Sequence, residues 1–197
     1  QLFMDEKAAN LQYGATQAWV YAFTFIGGLF ADKILGFRKS LFWGGILMII
    51  GSIILTIDPK QFFFLGIAFN VVGTGFFKPN ISSMVGQLYH SGDARRDAGF
   101  SLFYAGINIG ALLGGYFCIA IGKGELFTSI IPAHLTWNIA FGMAAVVMTI
   151  SLLTFVNTRK SLGPIGLSPL RDAANKTFTW QDLAVYGAGL IAIPVIM

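Results

Sequence analysis

Charged residues are scarce in this chain of 197 residues: Asp, Glu, Lys and Arg make up 11% of it, against about 25% in ordinary soluble domains. The single cysteine, Cys118, excludes a disulfide within the chain and is expected to be a small packing residue. His90 and His134 fall in predicted loops, where we expect them to be solvated. No His, Cys and carboxylate cluster has metal spacing, and no nucleophile stands beside a base. We therefore expect neither a metal centre, nor a cofactor, nor an enzyme.

Apolar residues dominate instead, at 55% hydrophobic with a mean hydropathy of +0.70. The net charge of +4 is spread over short loops, so a nucleic-acid partner is not expected. Six hydrophobic runs approach the length of about 20 residues that crosses a bilayer. They must be helical, because an open sheet edge cannot face lipid. The predicted spans are residues 13–31, 41–57, 62–85, 100–121, 137–156 and 183–197.

Basic residues set the orientation of these spans. Nine lie in the loops after the first, third and fifth runs, against three on the opposite side. The positive-inside rule therefore places the odd-numbered loops in the cytoplasm of a protein that crosses the cell's inner (plasma) membrane several times. The first run then starts outside, which requires an earlier span. The opening residues 1–12 are predicted to be a loop, and the chain is predicted to be a fragment.

One segment, residues 161–178, has the composition of a linker, with two prolines and no apolar period. It predicts three parts: a bundle over 1–160, a cytoplasmic linker over 161–178, and the start of an additional helix over 179–197. Thr179 is the expected N-cap of that helix.

The third run carries a lysine, in the stretch VVGTGFFKPNIS at residues 71–82. A cation near the middle of a bilayer costs about 2.5–3.5 kcal/mol on insertion scales, so Lys78 must face a partner or water. Pro79 cannot donate to the carbonyl of Gly75, which predicts a kink beside the charge. Lys78 is accordingly a candidate functional residue.

The first cytoplasmic loop, GGLFADKILGFRKS, combines glycines, a carboxylate and basic residues. An ordinary positive-inside loop would explain its basic residues but not the glycines and the aspartate together. The pattern resembles the loop signature of the major facilitator superfamily, and we assign a gating role to its residues. They are Gly28, Asp32, Gly36, Arg38 and Lys39.

A second stretch, residues 92–115, repeats glycine every fourth position at 106, 110 and 114. This spacing predicts a close helix crossing. Tyr104 and Asn108 are also four apart and lie nearly opposite the glycines, so one side should pack while the other presents a phenol and an amide. Asn108 could alternatively make an ordinary hydrogen bond between helices.

The segments GTGFFKPNISSMVGQLY and DARRDAGFSLFYAGINIGALLGG together resemble the proton-dependent oligopeptide transporters, whose F-Y-x-x-I-N-x-G signature matches residues 103–110. The resemblance implies an all-α membrane protein with the major facilitator fold, built from two six-helix halves. The chain would hold core helices 2–6 of the N-terminal half and the start of an inserted helix. The implied partners are di- and tripeptides, protons, the lipid bilayer, and the missing first helix and C-terminal half.

The resemblance also assigns roles to residues. Lys78 matches a lysine that pairs with a carboxylate of the first helix and responds to the peptide C-terminus, which makes it the proton-coupling residue. Tyr21, Tyr104 and Asn108 match residues of the peptide pocket. Gln17, one turn before Tyr21, is a further candidate from its position alone. The family's E-x-x-E-R motif belongs to the first helix, so the main proton carboxylates are expected outside this chain.

Three functions stay open at this point. The first is a peptide–proton symporter that works by alternating access. The second keeps the fold and carries nitrate or another small anion. The third is a membrane scaffold or sensor without transport, in which Lys78 forms a structural ion pair.

Overall fold

The computed structural model describes residues 5–90, 92–127 and 130–168, and these are mainly helical. Five long helices are joined by short connections, with a π-helical turn after the first and a 3₁₀ turn after the last. In chain order the elements are α1 (Glu6–Phe30), the π-helix Ala31–Leu35, α2 (Phe37–Ile57), α3 (Phe63–Gln87), α4 (Arg95–Gly122), α5 (Thr136–Thr158) and the 3₁₀ turn Arg159–Leu162.

The beginning of α1 corrects the expectation of a loop over residues 1–12. The helix starts at Glu6, because the carboxylate of Asp5 accepts a hydrogen bond of 2.8 Å from the backbone N–H of Ala8. An aspartate N-cap followed by a glutamate in the first turn stabilises a helix start through both hydrogen bonding and the helix dipole. The polar residues that suggest a loop in the sequence instead cap and begin a helix.

Four helical segments in the described ranges are long and apolar enough to cross a membrane: Glu6–Leu35, Phe37–Ile57, Arg95–Gly122 and Thr136–Leu162. The prediction counted α3 as well, which is 25 residues long but is not among these four, because polar residues dilute its apolar character. The sixth predicted run, the additional helix over 179–197 and Thr179 lie outside the described residues.

Helices α2 and α3 pack most closely at glycines that face one another. A Cβ on Gly44 would lie 2.8 Å from the carbonyl oxygen of Gly73, and one on Gly51 would lie 2.7 Å from that of Gly66. The two contacts are seven residues apart on each antiparallel helix, which is two turns. Leu55, buried against Gly66, fills the space beside this crossing. The α2–α3 pair is thus the core of the described bundle.

Helix α4 is exposed along most of its length, which differs from the prediction. A Cβ on Gly106, Gly110 or Gly114 would meet nothing within 4 Å, so the glycine face packs against no described residue. Only the last turn is buried, where Gly122 lies against the Trp137 ring of α5. The glycine repeat predicts a crossing whose partner is not among the described residues.

The predicted linker begins as packed structure. Residues 163–168, here called the strap, lie under the loop between α1 and α2. The guanidinium of Arg38 donates a hydrogen bond of 2.7 Å to the carbonyl oxygen of Gly163. The backbone N–H of Arg38 donates another, of 2.9 Å, to the carbonyl oxygen of Gly166. The backbone N–H of Gly166 donates in turn to the side chain of Gln87 on α3. The strap therefore joins the start of α2, just after the loop from α1, to the end of α3.

Gly36→Ala is expected to destabilise the protein through the strap. Gly36 has φ 73 and ψ 156, a region open almost only to glycine, which costs other residues about 1–3 kcal/mol. A Cβ there would also lie 2.5 Å from the backbone nitrogen of Ser168. We expect the melting temperature of the purified full-length protein to fall by about 5 °C or more.

Gly92→Ala is the matched control, because Gly92 has φ 87 but a Cβ at this position would meet nothing within 4 Å. Alanine at position 92 is strained by the positive φ but, unlike alanine at position 36, contacts no neighbouring backbone. Equal melting temperatures for the two variants would show that the strap does not press on Gly36.

Candidate functional site

Lys78 and Tyr21 form the one pair of predicted site residues that the structure brings into contact. The Lys78 ammonium on α3 lies over the Tyr21 ring on α1, with Nζ 5.4 Å from the ring centroid. This is within the reach of about 6 Å for a cation–π interaction. Lys78 is exposed among the described residues, and no carboxylate in this part of the chain pairs with it. Both side chains are therefore exposed on the same side of the described helices.

Tyr104 and Asn108 lie on the exposed surface of α4. The Tyr104 ring stacks on Phe100 with centroids 6.3 Å apart and is 52% exposed. No hydrogen bond or ring contact within the described ranges joins these two residues to Lys78. Gln17 is half-buried on α1, one turn before Tyr21. The structure thus brings two of the five predicted binding residues into contact, and the pocket role of all five stays a prediction.

The loop motif is spread around the strap and the start of α2. Gly28 lies against Pro79, whose Cβ would be 3.9 Å from a Cβ at the glycine. Asp32, in the π-helix, and Lys39 are exposed. Arg38 donates hydrogen bonds to the strap carbonyls of Gly163 and Gly166. The gating role of these residues stays a prediction.

A buried amide beside Lys78 was not singled out from the sequence. Asn80 is 1% exposed, and its Nδ2 lies 3.2 Å from the carbonyl oxygen of Gly27, 2.7 Å from Ser40 Oγ and 2.7 Å from the carbonyl oxygen of Phe76. These acceptors belong to three different helices. The available signal was an asparagine within an apolar helix, since such residues hold membrane bundles together.

Pro79 leaves α3 uninterrupted, since the helix runs on to Gln87. The predicted kink stays a prediction, but the carbonyl that lost its usual donor has a close contact. Gly75, whose carbonyl lacks the usual partner, faces Gly27 of α1, and a Cβ on Gly27 would overlap that carbonyl group. A glycine Cα–H approaching a free carbonyl is a recurring contact between helices. The α1–α3 crossing therefore lies directly beside Lys78.

A groove of about 650 Å³ runs between α1 and α3 on a different side of the bundle. Trp19 and Leu65 are among its mainly apolar lining residues. Trp19 is two positions from Tyr21, hence nearly opposite it on the helix. None of Gln17, Tyr21 and Lys78 lines this groove, so the polar pair and the apolar groove are separate features.

The one ion pair within the described ranges lies before α4, where Arg95 and Asp93 are 2.9 Å apart. Hydrogen bonds from the Arg95 side chain and backbone lower the pKa of Asp93 to about 2. Asp93 is therefore ionised at any physiological pH. Its carboxylate accepts hydrogen bonds from Arg95, the first residue of α4, which is the helix that carries Tyr104 and Asn108. Asp97, on the first turn, is exposed.

Taken together, membrane-length apolar helices and close glycine crossings are typical of an integral membrane protein. The profile of the POT family (PTR2) matches residues 38–188, and the chain belongs to this family. It is a multi-pass membrane protein with the helical fold of major facilitator-type transporters. Its relatives are transporters, not enzymes.

Individual relatives agree with this assignment. The chain is 39% identical over 152 residues to a di-/tripeptide transporter of Lactobacillus helveticus, which covers 76% of this chain and 30% of that protein. It is 37% identical over 180 residues to the uncharacterized transporter YclF of Bacillus subtilis, covering 90% of this chain and 34% of that protein. The chain thus spans about a third of the length of these relatives.

The solved structures show the same relation. A peptide transporter POT crystallised with alafosfalin is 36% identical, with a TM-score of 0.80, and the match covers 99% of this chain and 38% of that one. A POT family transporter in complex with 5-aminolevulinic acid is 31% identical, also with a TM-score of 0.80.

Proposed function

We propose that this chain supplies part of the N-terminal half of a symporter that imports di- and tripeptides together with protons by alternating access. The observation that carries the proposal is the Lys78 ammonium held 5.4 Å from the Tyr21 ring. It places a cation on a helix of a transporter bundle, in a family whose relatives include di-/tripeptide transporters.

The chemistry of the substrate fits these groups. A zwitterionic peptide needs a cation for its carboxylate and neutral donors and acceptors for its backbone. Lys78 supplies the cation, while Tyr21 keeps the ammonium in place without neutralising it, because a ring face attracts a cation but carries no net charge. Tyr104 and Asn108 on α4 supply the neutral polar groups. Gln17, one turn from Tyr21, extends the polar face of α1.

Coupling to protons follows from competition for Lys78. In this proposal a carboxylate outside the described residues pairs with Lys78 until it is protonated. Protonation then frees the ammonium for the peptide carboxylate, so proton and peptide each strengthen the binding of the other. The described residues contribute the cation and its orientation, and the proton carrier lies elsewhere in the protein.

A small anion such as nitrate is the second candidate substrate. It is favoured by the exposed Lys78 ammonium, which has no carboxylate partner among the described residues. An anion would need only this charge, whereas a peptide would also use Tyr21, Tyr104 and Asn108.

Uptake by the full-length protein in liposomes separates these functions. With an inward proton gradient, we expect labelled dialanine to accumulate, unlabelled tripeptide to compete, nitrate at the same concentration not to compete, and a protonophore to abolish accumulation. Competition by nitrate alone would identify an anion carrier. Liposomes that take up neither solute and show no substrate-dependent pH change would identify a scaffold or sensor.

A further inference from the structure

We infer that Asn80 is the positioning residue of the Lys78–Tyr21 pair. Its buried amide joins α1, α2 and α3 at one point. Two of these helices carry the pair: Tyr21 lies on α1 and Lys78 on α3. The functional consequence rests on the proposed function, whereas the structural one does not.

The amide nitrogen of Asn80 is fully engaged. Its nitrogen has two hydrogens and three acceptors within 3.2 Å, on Gly27, Ser40 and Phe76, so at least one hydrogen is shared. Ser40 is 0% exposed, and its hydroxyl also donates to the carbonyl of Phe76 at 3.0 Å. Buried polar groups arranged in this way fix one relative position of their helices, because any displacement leaves a donor or acceptor without a partner.

This junction lies close to the pair along the helix axes, and the side chains of Asn80 and Lys78 leave α3 on nearly opposite faces. Asn80 follows Lys78 by two residues, and Gly27 follows Tyr21 by six, which is about 9 Å along a helix. Pro79, between Lys78 and Asn80, removes a hydrogen bond from α3 at this point. The side chain of Asn80 replaces that missing restraint with contacts to neighbouring helices.

Small movements at the junction are therefore expected to disturb the pair. The distance of 5.4 Å between Nζ and the ring centroid is already close to the limit of about 6 Å for the interaction. A shift of about 1 Å that separates α1 from α3 would lengthen this distance beyond that limit unless the lysine side chain follows, and misplacement on this scale can change binding strongly.

Asn138 is a matched comparison for Asn80. Its Nδ2 on α5 donates to the carbonyl of Thr56 at 2.8 Å and to that of Ile57 at 3.3 Å, both at the end of α2. It also joins two helices through an asparagine amide, but at the opposite end of α2 from Ser40. An effect of stability alone should follow the fall in melting temperature of each variant and not the distance of its asparagine from the Lys78–Tyr21 pair.

The experiment uses the full-length protein and three substitutions: Asn80→Ala, Ser40→Ala and Asn138→Ala. The first readout is the labelling rate of position 78 by a water-soluble methanethiosulfonate, with Lys78→Cys in a background otherwise free of cysteine, so that Cys118 is replaced. The second, with Lys78 intact, is KM and kcat for proton-driven dialanine uptake. Thermal unfolding is measured for every variant.

We expect all three variants to melt lower than the parent protein. Only Asn80→Ala and, more weakly, Ser40→Ala should change the labelling rate, by about threefold or more, and raise KM for dialanine by about fivefold or more. Labelling rates that are unchanged in both variants, or that shift equally in Asn138→Ala, would overturn the inference.

Two further outcomes are also decisive. If Asn80→Ala does not fold, Ser40→Ala decides, because it removes one partner of the amide and leaves the helix backbone intact. If the parent protein takes up no peptide, the proposed function fails, yet the labelling rate still decides whether Asn80 positions residue 78.

Discussion

Lys78→Ala is expected to abolish proton-driven dialanine uptake by the full-length protein in liposomes. The substitution removes the only lysine within α3, and with it the proposed charge for the peptide carboxylate and the proposed partner of the proton carrier. For the ion pairs proposed in the full-length protein, losing one partner costs about 2–5 kcal/mol where the pair is buried, which corresponds to a loss of about thirtyfold or more. We therefore expect initial rates at or near those of empty liposomes, measured at equal amounts of reconstituted protein.

Two control variants test whether the effect depends on the charge and on the position of Lys78. Lys78→Arg keeps the charge but replaces a compact ammonium with a planar guanidinium, so partial uptake with a raised KM is expected. Lys123→Ala removes an exposed lysine at the end of α4 and is expected to transport normally. Uptake by Lys78→Ala at the rate of the parent protein would show that Lys78 serves neither peptide nor proton, and the symport mechanism would be wrong.

The helices themselves could be predicted from hydrophobic length, because the bilayer imposes it. Five predicted runs correspond to α1–α5, and the differences arise at the ends of the helices. There, polar residues such as Asp5 cap a helix that hydropathy alone would begin later in the chain. The POT family assignment was also available from the sequence, since its motifs are short, ordered and chemically unusual in an apolar chain.

The contacts between helices could not be predicted in the same way. The glycine repeat on α4 is the most regular in the sequence, yet its face meets nothing in the described part. The close crossings use Gly44 with Gly73 and Gly51 with Gly66, which repeat at seven rather than four residues. A glycine spacing shows that a helix can approach another, but the partner is set by the arrangement of the whole bundle.

The candidate site was predictable in part for a similar reason. Lys78 is conspicuous because a cation in an apolar helix is costly, and Tyr21 followed from the family resemblance. Asn80 carries no charge, and its importance depends on Gly27 and Ser40, which are distant in sequence. The packing of the strap could not be predicted from the sequence, because its contacts are made largely by backbone groups, which have no sequence signature.

Gly27→Ala is expected to cause the largest loss of stability among substitutions that add a single methyl group to α1. A Cβ at this position would lie 2.6 Å from the carbonyl carbon of Gly75 and 2.9 Å from the Cα of Phe76. Both are backbone atoms that cannot rotate away, so α1 and α3 must separate. Overpacking of this kind costs about 1–3 kcal/mol and occasionally more, which outweighs the gain of about 0.5–1 kcal/mol from replacing a helical glycine.

Gly14→Ala on the same helix isolates that collision, because a Cβ there would meet nothing within 4 Å. It receives the same gain in helix propensity without the contact. We expect thermal unfolding of the full-length protein to show Gly14→Ala at or above the parent melting temperature and Gly27→Ala lower by about 5–10 °C. Since the separation would also move Tyr21 away from Lys78, Gly27→Ala should raise KM for dialanine. Equal melting temperatures for the two variants would mean that α1 and α3 do not cross at Gly27, and the geometry of the Lys78–Tyr21 pair would lose its basis.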